Sequence, residues 1–240
     1  MSDLVLTGNL GNVVIAGAAG TAMENIEATD VTLVTILIDA SSSIAGAQLE
    51  QAVRDGQQEL LAAFASSKEK EKILVALWTF NSEVEVLHSY VPVDDATKLD
   101  DKNYSGSGYT RLYDAWCAAL TANVTYAGQL RDSGTPVKSV VVVITDGEDT
   151  GSSMKPKHCR ALSEDLLKSE TFVLAFVGVG SVSSFRRIAK SMGVPDGCIE
   201  VQQQATPATL RKVFQMVSRS AIRASQGKIQ PGAQAGFFRP

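Results

Sequence analysis

Two kinds of apolar pattern alternate along this chain. Residues 31–38, VTLVTILI, form a β-branched run with no polar face, the signature of a strand covered on both sides in a parallel sheet. After the polar segment DASSS, Leu49, Val53, Leu60, Leu61 and Phe64 recur at helical spacing, which predicts a helix over residues 47–64. A second apolar run, KILVALWTF at 72–80, is followed by EVEVLHSYV at 83–91. The turn Asn81-Ser82 between them is short enough to make that pair antiparallel. A Gly- and Ser-rich loop, NYSGSGYT, leads into a predicted helix at 111–130, then the strand SVVVVIT at 139–145 and the acidic turn DGEDT. A helix at 158–169, the strand TFVLAFVGV at 171–179, a helix at 184–191, the short strand CIEV and a helix at 207–224 complete the series. Strands alternating with helices at this pace predict an α/β fold. Its sheet is doubly wound and mostly parallel, with one antiparallel edge strand and helices on both faces.

The ends follow neither pattern. Residues 1–30 are rich in Gly, Ala and Asn, and the apolar pieces at 4–6 and 13–16 flank a turn-like GNLGN, so this segment reads as an arm or small hairpin. Residues 31–224 read as one domain. Residues 225–240, SQGKIQPGAQAGFFRP, read as a tail. Phe237 and Phe238 within it need cover, supplied either by this domain or by a groove on another chain.

Charge removes two classes of partner. With 22 basic and 26 acidic residues the net charge is −4, which gives no electrostatic reason to expect nucleic acid or an anionic membrane. No segment approaches the roughly 20 unbroken apolar residues of a membrane helix. The first residues lack the basic flank and continuous apolar run of a signal peptide. Cys117, Cys159 and Cys198 are odd in number, far apart and without metal-finger spacing, so they read as free thiols in a reducing, cytoplasmic setting.

In open α/β sheets, ligands bind beyond the carboxyl ends of the strands, which singles out three loops. Asp39, Ser41 and Ser43 follow the first strand and place a carboxylate and two hydroxyls on alternate positions. Thr110 ends the Gly-rich loop, and Asp146 follows VVVVIT. Every donor is oxygen, which selects a hard cation, Mg²⁺ first with Mn²⁺ or Ca²⁺ possible, over Zn²⁺. Two carboxylates balance a divalent ion, and the hydroxyls add no charge. Such an ion keeps an open position that a carboxylate from elsewhere can fill.

DASSS after a buried strand, the GYTRLYDA junction and ITDGED after a second buried strand together resemble the von Willebrand factor A family over residues 31–224. The resemblance implies a Rossmann-like fold with a metal-ion-dependent adhesion site. Asp39, Ser41, Ser43 and Thr110 would lie at or near the metal, and Asp146 would often act through water. It also implies metal-dependent protein binding completed by a Glu or Asp of the partner. The single-domain layout and the FQMVSRS helix look like bacterial intracellular members associated with tellurite resistance.

Other residues have plainer roles. Glu148 and Asp149 read as rim charges, and Asp114 as either a group behind the site or a charge on the helix dipole. Trp78 and Trp116 read as core, and neither His88 nor His158 has a catalytic neighbour in sequence. The rival function is a Mg²⁺-dependent phosphotransferase of the haloacid dehalogenase type. It needs a second acid two residues after Asp39, and Ser41 stands there. Neither a GxSxG elbow nor a P-loop is present.

Overall fold

The computed structural model describes residues 9–180, 182–232 and 235–239. Six strands, β1 (Val31–Asp39), β2 (Ile73–Phe80), β3 (Val84–Pro92), β4 (Val137–Thr145), β5 (Phe172–Val179) and β6 (Ile199–Gln202), form one sheet in the order β3-β2-β1-β4-β5-β6. Only the β2–β3 pair is antiparallel. Every residue of β1, β2 and β5 is buried, which is why these strands read as unbroken apolar runs. β3, at the edge, is only part-buried and ends at Pro92, where a missing N–H costs least.

The helices are α1 (Asn9–Gly17), α2 (Ser42–Gly46), α3 (Glu50–Ala65), α4 (Leu112–Asp132), α5 (Pro156–Leu167), α6 (Val182–Ser191) and α7 (Pro207–Ser225). α3 packs against α7, which lies on β1 and β4. α4 lies on the same two strands, with α1 and α5 beside it. Thr35 of β1 faces α4, its hydroxyl accepting from Asn123 Nδ2 at 3.1 Å. β1 is hydrogen-bonded to both β2 and β4, and these run to opposite edges, so the strand order reverses there. The carboxyl ends of β1 and β4 therefore border the crevice of an open sheet. Among the described residues no helix is long and apolar enough to cross a membrane.

Three expectations are sharpened. The helix expected at 47–64 is α3 and starts at Glu50, because Gln48 takes φ 56° and Leu49 turns into the core, redirecting the chain between α3 and the short α2 that precedes it. Of the arm or hairpin expected in residues 1–30, the described residues contain the helix α1 and no hairpin, while the apolar piece at 4–6 lies outside the described residues. Leu10, Val13, Val14 and Gly17 form its inner stripe, and a Cβ on Gly17 would sit 2.1 Å from the Trp78 ring, so only glycine allows this approach. The segment is pinned further by Ser89 Oγ donating to Gly17 O at 2.6 Å and Tyr126 OH to Thr21 O at 2.6 Å.

The third concerns the tail, where the sequence leaves cover by this domain or by another chain open. Phe237 is fully buried and so not free to dock on another chain, while Phe238 packs edge to face on it at 4.8 Å and stays half-exposed. Gly232 N–H donates to Phe172 O at 2.8 Å, and Phe238 N–H donates to Gly197 O at 3.3 Å. Apolar surface this large is covered by the nearest available core, and burying one Phe is worth about 2 kcal/mol.

Candidate metal centre

Asp39 is the last residue of β1 and is 1% exposed. Its Oδ1 accepts from Ser41 N–H at 2.8 Å, which folds the chain back so that Ser41 and Ser43 sit over the strand end. Their hydroxyls lie 3.0 Å apart, and Ser43 Oγ donates to Asp146 Oδ1 at 2.7 Å across the crevice. The loop before α4 is laced to the first loop, with Ser107 N–H on Ala40 O at 2.8 Å and Ser42 N–H on Gly108 O at 3.2 Å. Thr110, buried at the end of that loop, receives two N–H donors on its carbonyl, from Thr150 at 2.9 Å and Gly151 at 3.2 Å. The structure thus brings Asp39, Ser41, Ser43, Thr110 and Asp146 together from three loops.

Gly147 reports the space between them. A Cβ built there would lie 3.0 Å from Thr110 Oγ1 and 3.7 Å from both Asp39 Oδ2 and Ser43 Oγ. One small volume, bordered by Gly147 of the third loop, therefore faces two oxygens of the first loop and one of the second, and stays open because residue 147 has no side chain. Burial pushes the Asp39 carboxyl up to about 6, and Asp146 adds to the rise, while only hydroxyl and backbone donors pull it down. Burial also raises Asp146. A buried and a half-buried carboxylate sharing a polar crevice favour a positive charge between them. Among the described residues no group of three or more His, Cys, Asp or Glu is arranged to hold a metal, so an ion here would rely on hydroxyl oxygens beside two acids. That donor set fits a hard divalent cation.

Several supporting residues carried no signal of their own in the sequence. Thr145, the last residue of β4, donates its hydroxyl to Asp39 Oδ2 at 2.5 Å. Asp149 is no free rim charge, since it accepts from Ser152 Oγ at 2.5 Å and from Tyr113 N–H at 3.2 Å. Asp114 is fully buried and accepts from the N–H groups of Met154, at 2.8 Å, and Ser153, at 3.1 Å. Arg111 Nε lies 3.0 Å from Asp114 Oδ2 without donor alignment, so this contact is an ion pair and not a hydrogen bond. α4 thereby fastens the loop that carries Asp146. Glu148 is exposed and accepts from Ser184 Oγ.

The remaining singled-out residues are structural. Trp78 and Trp116 are fully buried, the latter donating to Ser163 Oγ at 3.0 Å. His88 Nδ1 accepts from Thr97 N–H at 3.3 Å, and His158 Nδ1 accepts from Lys155 N–H at 3.1 Å at the start of α5. Cys117, Cys159 and Cys198 are free and buried, with Cys117 and Cys159 sulfurs 3.6 Å apart.

Comparison with known proteins gives a fold-level match from several sources. Proximal thread matrix protein 1 from the mussel byssus superposes with a TM-score of 0.54 at 20% identity over 80% of this chain and 46% of that one. Another form of that byssus protein is described with a zinc-occupied MIDAS motif. The PilB minor pilin of Streptococcus sanguinis gives 0.58 at 12% identity, covering 83% of this chain and 63% of the pilin. A von Willebrand factor type A protein from Catenulispora acidiphila gives 0.51 at 16%, covering 80% and 43%. This chain thus spans about half of the length of the first of these structures, and at such identities the likeness speaks for the fold alone. No curated protein matches by sequence. The model of the von Willebrand factor type A domain matches residues 34–215, three quarters of the chain, and with the sheet order and the loops just described it assigns the chain to that family.

Proposed function

We propose that residues 31–224 form a protein-binding module whose contact runs through a divalent cation, Mg²⁺ in the cell, held by Asp39, Ser41, Ser43, Thr110 and Asp146. The observation that carries this reading is the open volume beside Gly147 of the third loop, faced by Asp39 Oδ2 and Ser43 Oγ from the first loop and Thr110 Oγ1 from the second. When bound, the cation supplies an electrophilic position that a Glu or Asp of the partner fills. The chain's own residues do the rest. Asp39 and Asp146 provide the balancing charge, Thr145 and Ser41 N–H fix the Asp39 carboxylate, and the lacing of the 103–110 loop keeps Thr110 in reach. Three buried free thiols support a reducing, cytoplasmic setting. A role in a bacterial stress complex rests on the resemblance to tellurite-associated members.

The test is calorimetric titration of the chelated protein with Mg²⁺, followed by partner capture with and without chelator. Asp39→Ala should abolish both, whereas Thr110→Ala should weaken capture more than ion binding because both carboxylates remain. Capture insensitive to chelator would sink the reading. The phosphotransferase alternative is checked alongside: Mg²⁺-dependent phosphate release lost in Asp39→Asn would replace the binding function with a catalytic one.

A further inference from the structure

Away from the crevice, α7 carries a second chemical feature. Lys212, Arg219 and Arg223 stand at helical positions i, i+7 and i+11, which places them along one stripe of the helix. Met216 lies between them. Phe238 and Arg239 form the facing wall of a groove of about 430 Å³. Both walls are fixed. Phe237 anchors the final segment in the core, Phe238 N–H is bonded to Gly197 O, and Arg223 Nη1 donates to Arg239 O at 2.6 Å. The groove thus gathers four cations over an apolar floor, on a chain whose net charge is −4.

None of the residues lining it is acidic, and among the described residues none of these four cations has a carboxylate within ion-pair distance. Asp196, held by Lys190 at 2.9 Å, attracts Arg239 as well but lies outside ion-pair distance of it. Like charges held side by side without a carboxylate in ion-pair range repel one another, so their clustering favours an anionic occupant. Guanidinium groups bind carboxylates through paired N–H donors, as they also bind phosphates. We propose that this groove binds an acidic segment of a partner protein, one that places carboxylates against the stripe and an apolar side chain on Met216 and Phe238. From Lys212 to Arg223 the stripe runs roughly 16 Å, the reach of about five extended residues. Such a length fits a short peptide better than a polyphosphate backbone, which the chain's net negative charge also repels. The groove and the cation crevice use different residues, so this inference stands whether or not the crevice binds metal.

The test uses the full chain in chelator, which removes any contribution from the crevice. Binding is measured by fluorescence anisotropy with a labelled peptide of repeating Glu-Leu-Glu units. A Gln-Leu-Gln peptide, a single-stranded RNA oligonucleotide and phosphatidylserine vesicles are compared as competitors. The Glu peptide should bind in a salt-sensitive manner, and the double variant Lys212→Glu with Arg219→Glu should lose at least about tenfold in affinity. Both positions are exposed, so the fold should survive, as circular dichroism will check. Lys102→Glu with Lys157→Glu makes the same charge change at other exposed sites and should stay within about twofold of the parent. The proposal is overturned if the Gln peptide binds equally, if RNA or vesicles compete more strongly than the Glu peptide, if the two double variants behave alike, or if no binding is seen up to on the order of 1 mM peptide.

Discussion

The hydroxyl of Thr145 at the end of β4 donates to Oδ2 of Asp39 at the end of β1, at 2.5 Å. This bond joins the two strand ends that border the crevice and fixes the rotamer of the one fully buried acid in it. Thr145→Val keeps the shape and removes the donor. It should weaken Mg²⁺ binding by about tenfold, the usual cost of losing a group that orients a ligand. Titration calorimetry of the two proteins measures it, and equal affinities would mean that Asp39 needs no such support.

Gly147 gives a steric prediction. Because an added methyl would sit 3.0 Å from Thr110 Oγ1, Gly147→Ala should occupy the space a cation would take. Ion affinity should fall by about tenfold or more while urea unfolding without metal stays within about 1 kcal/mol of the parent. A variant that binds Mg²⁺ normally would show that the ion sits elsewhere.

Asp114 links α4 to the loop bearing Asp146 through two backbone N–H groups and Arg111. Asp114→Asn loses the ion pair and sets an amide NH₂ against at least one buried N–H. The loss should be on the order of 2 kcal/mol of stability. A shift in the denaturation midpoint at unchanged slope is the expected record.

His88 carries a pH prediction. Burial lowers its pKa from 6.5 to about 4, so the folded protein keeps this ring neutral where the unfolded chain protonates it. The unfolded state then binds more protons between pH 4 and 6.5. The stability associated with His88 is therefore complete above about pH 6.5 and is lost progressively as pH falls toward about 4, by at most about 3 kcal/mol. His88→Gln keeps an acceptor for Thr97 N–H and should flatten the stability profile in that window alone. Parallel profiles for the two proteins would contradict the assignment.

Phe237→Ala should cost about 3 kcal/mol, because it opens a cavity under the final segment. Thermal unfolding reads this directly, and an unchanged melting temperature would show that the segment contributes nothing to the core.

What the sequence made legible follows from burial and periodicity. β1, β4 and β5 stood out because both faces are covered, and the candidate ligands stood out because each follows a strand or a Gly-rich loop. α1 escaped because its inner stripe of Leu10, Val13, Val14 and Gly17 is embedded in Gly and Asn, which read as turn. Thr145 looked like strand core, and Asp149 looked like a surface charge, because the partners that give them meaning are remote or lie in an irregular loop. The fate of Phe237 depended on Gly197 and Phe172, far away in sequence, and no local pattern encodes that contact.

β1 and β4 are the two central strands of the sheet, and Asp39 and Asp146 are mounted on their ends. Amides in such positions exchange with solvent only when most of the molecule opens, whereas the loop that ends at Thr110 can open on its own. The pair of acids should therefore keep its spacing up to the melting transition, while Thr110 is released earlier. Deuterium uptake should accordingly rank the 103–110 loop well ahead of the backbone leading to either acid.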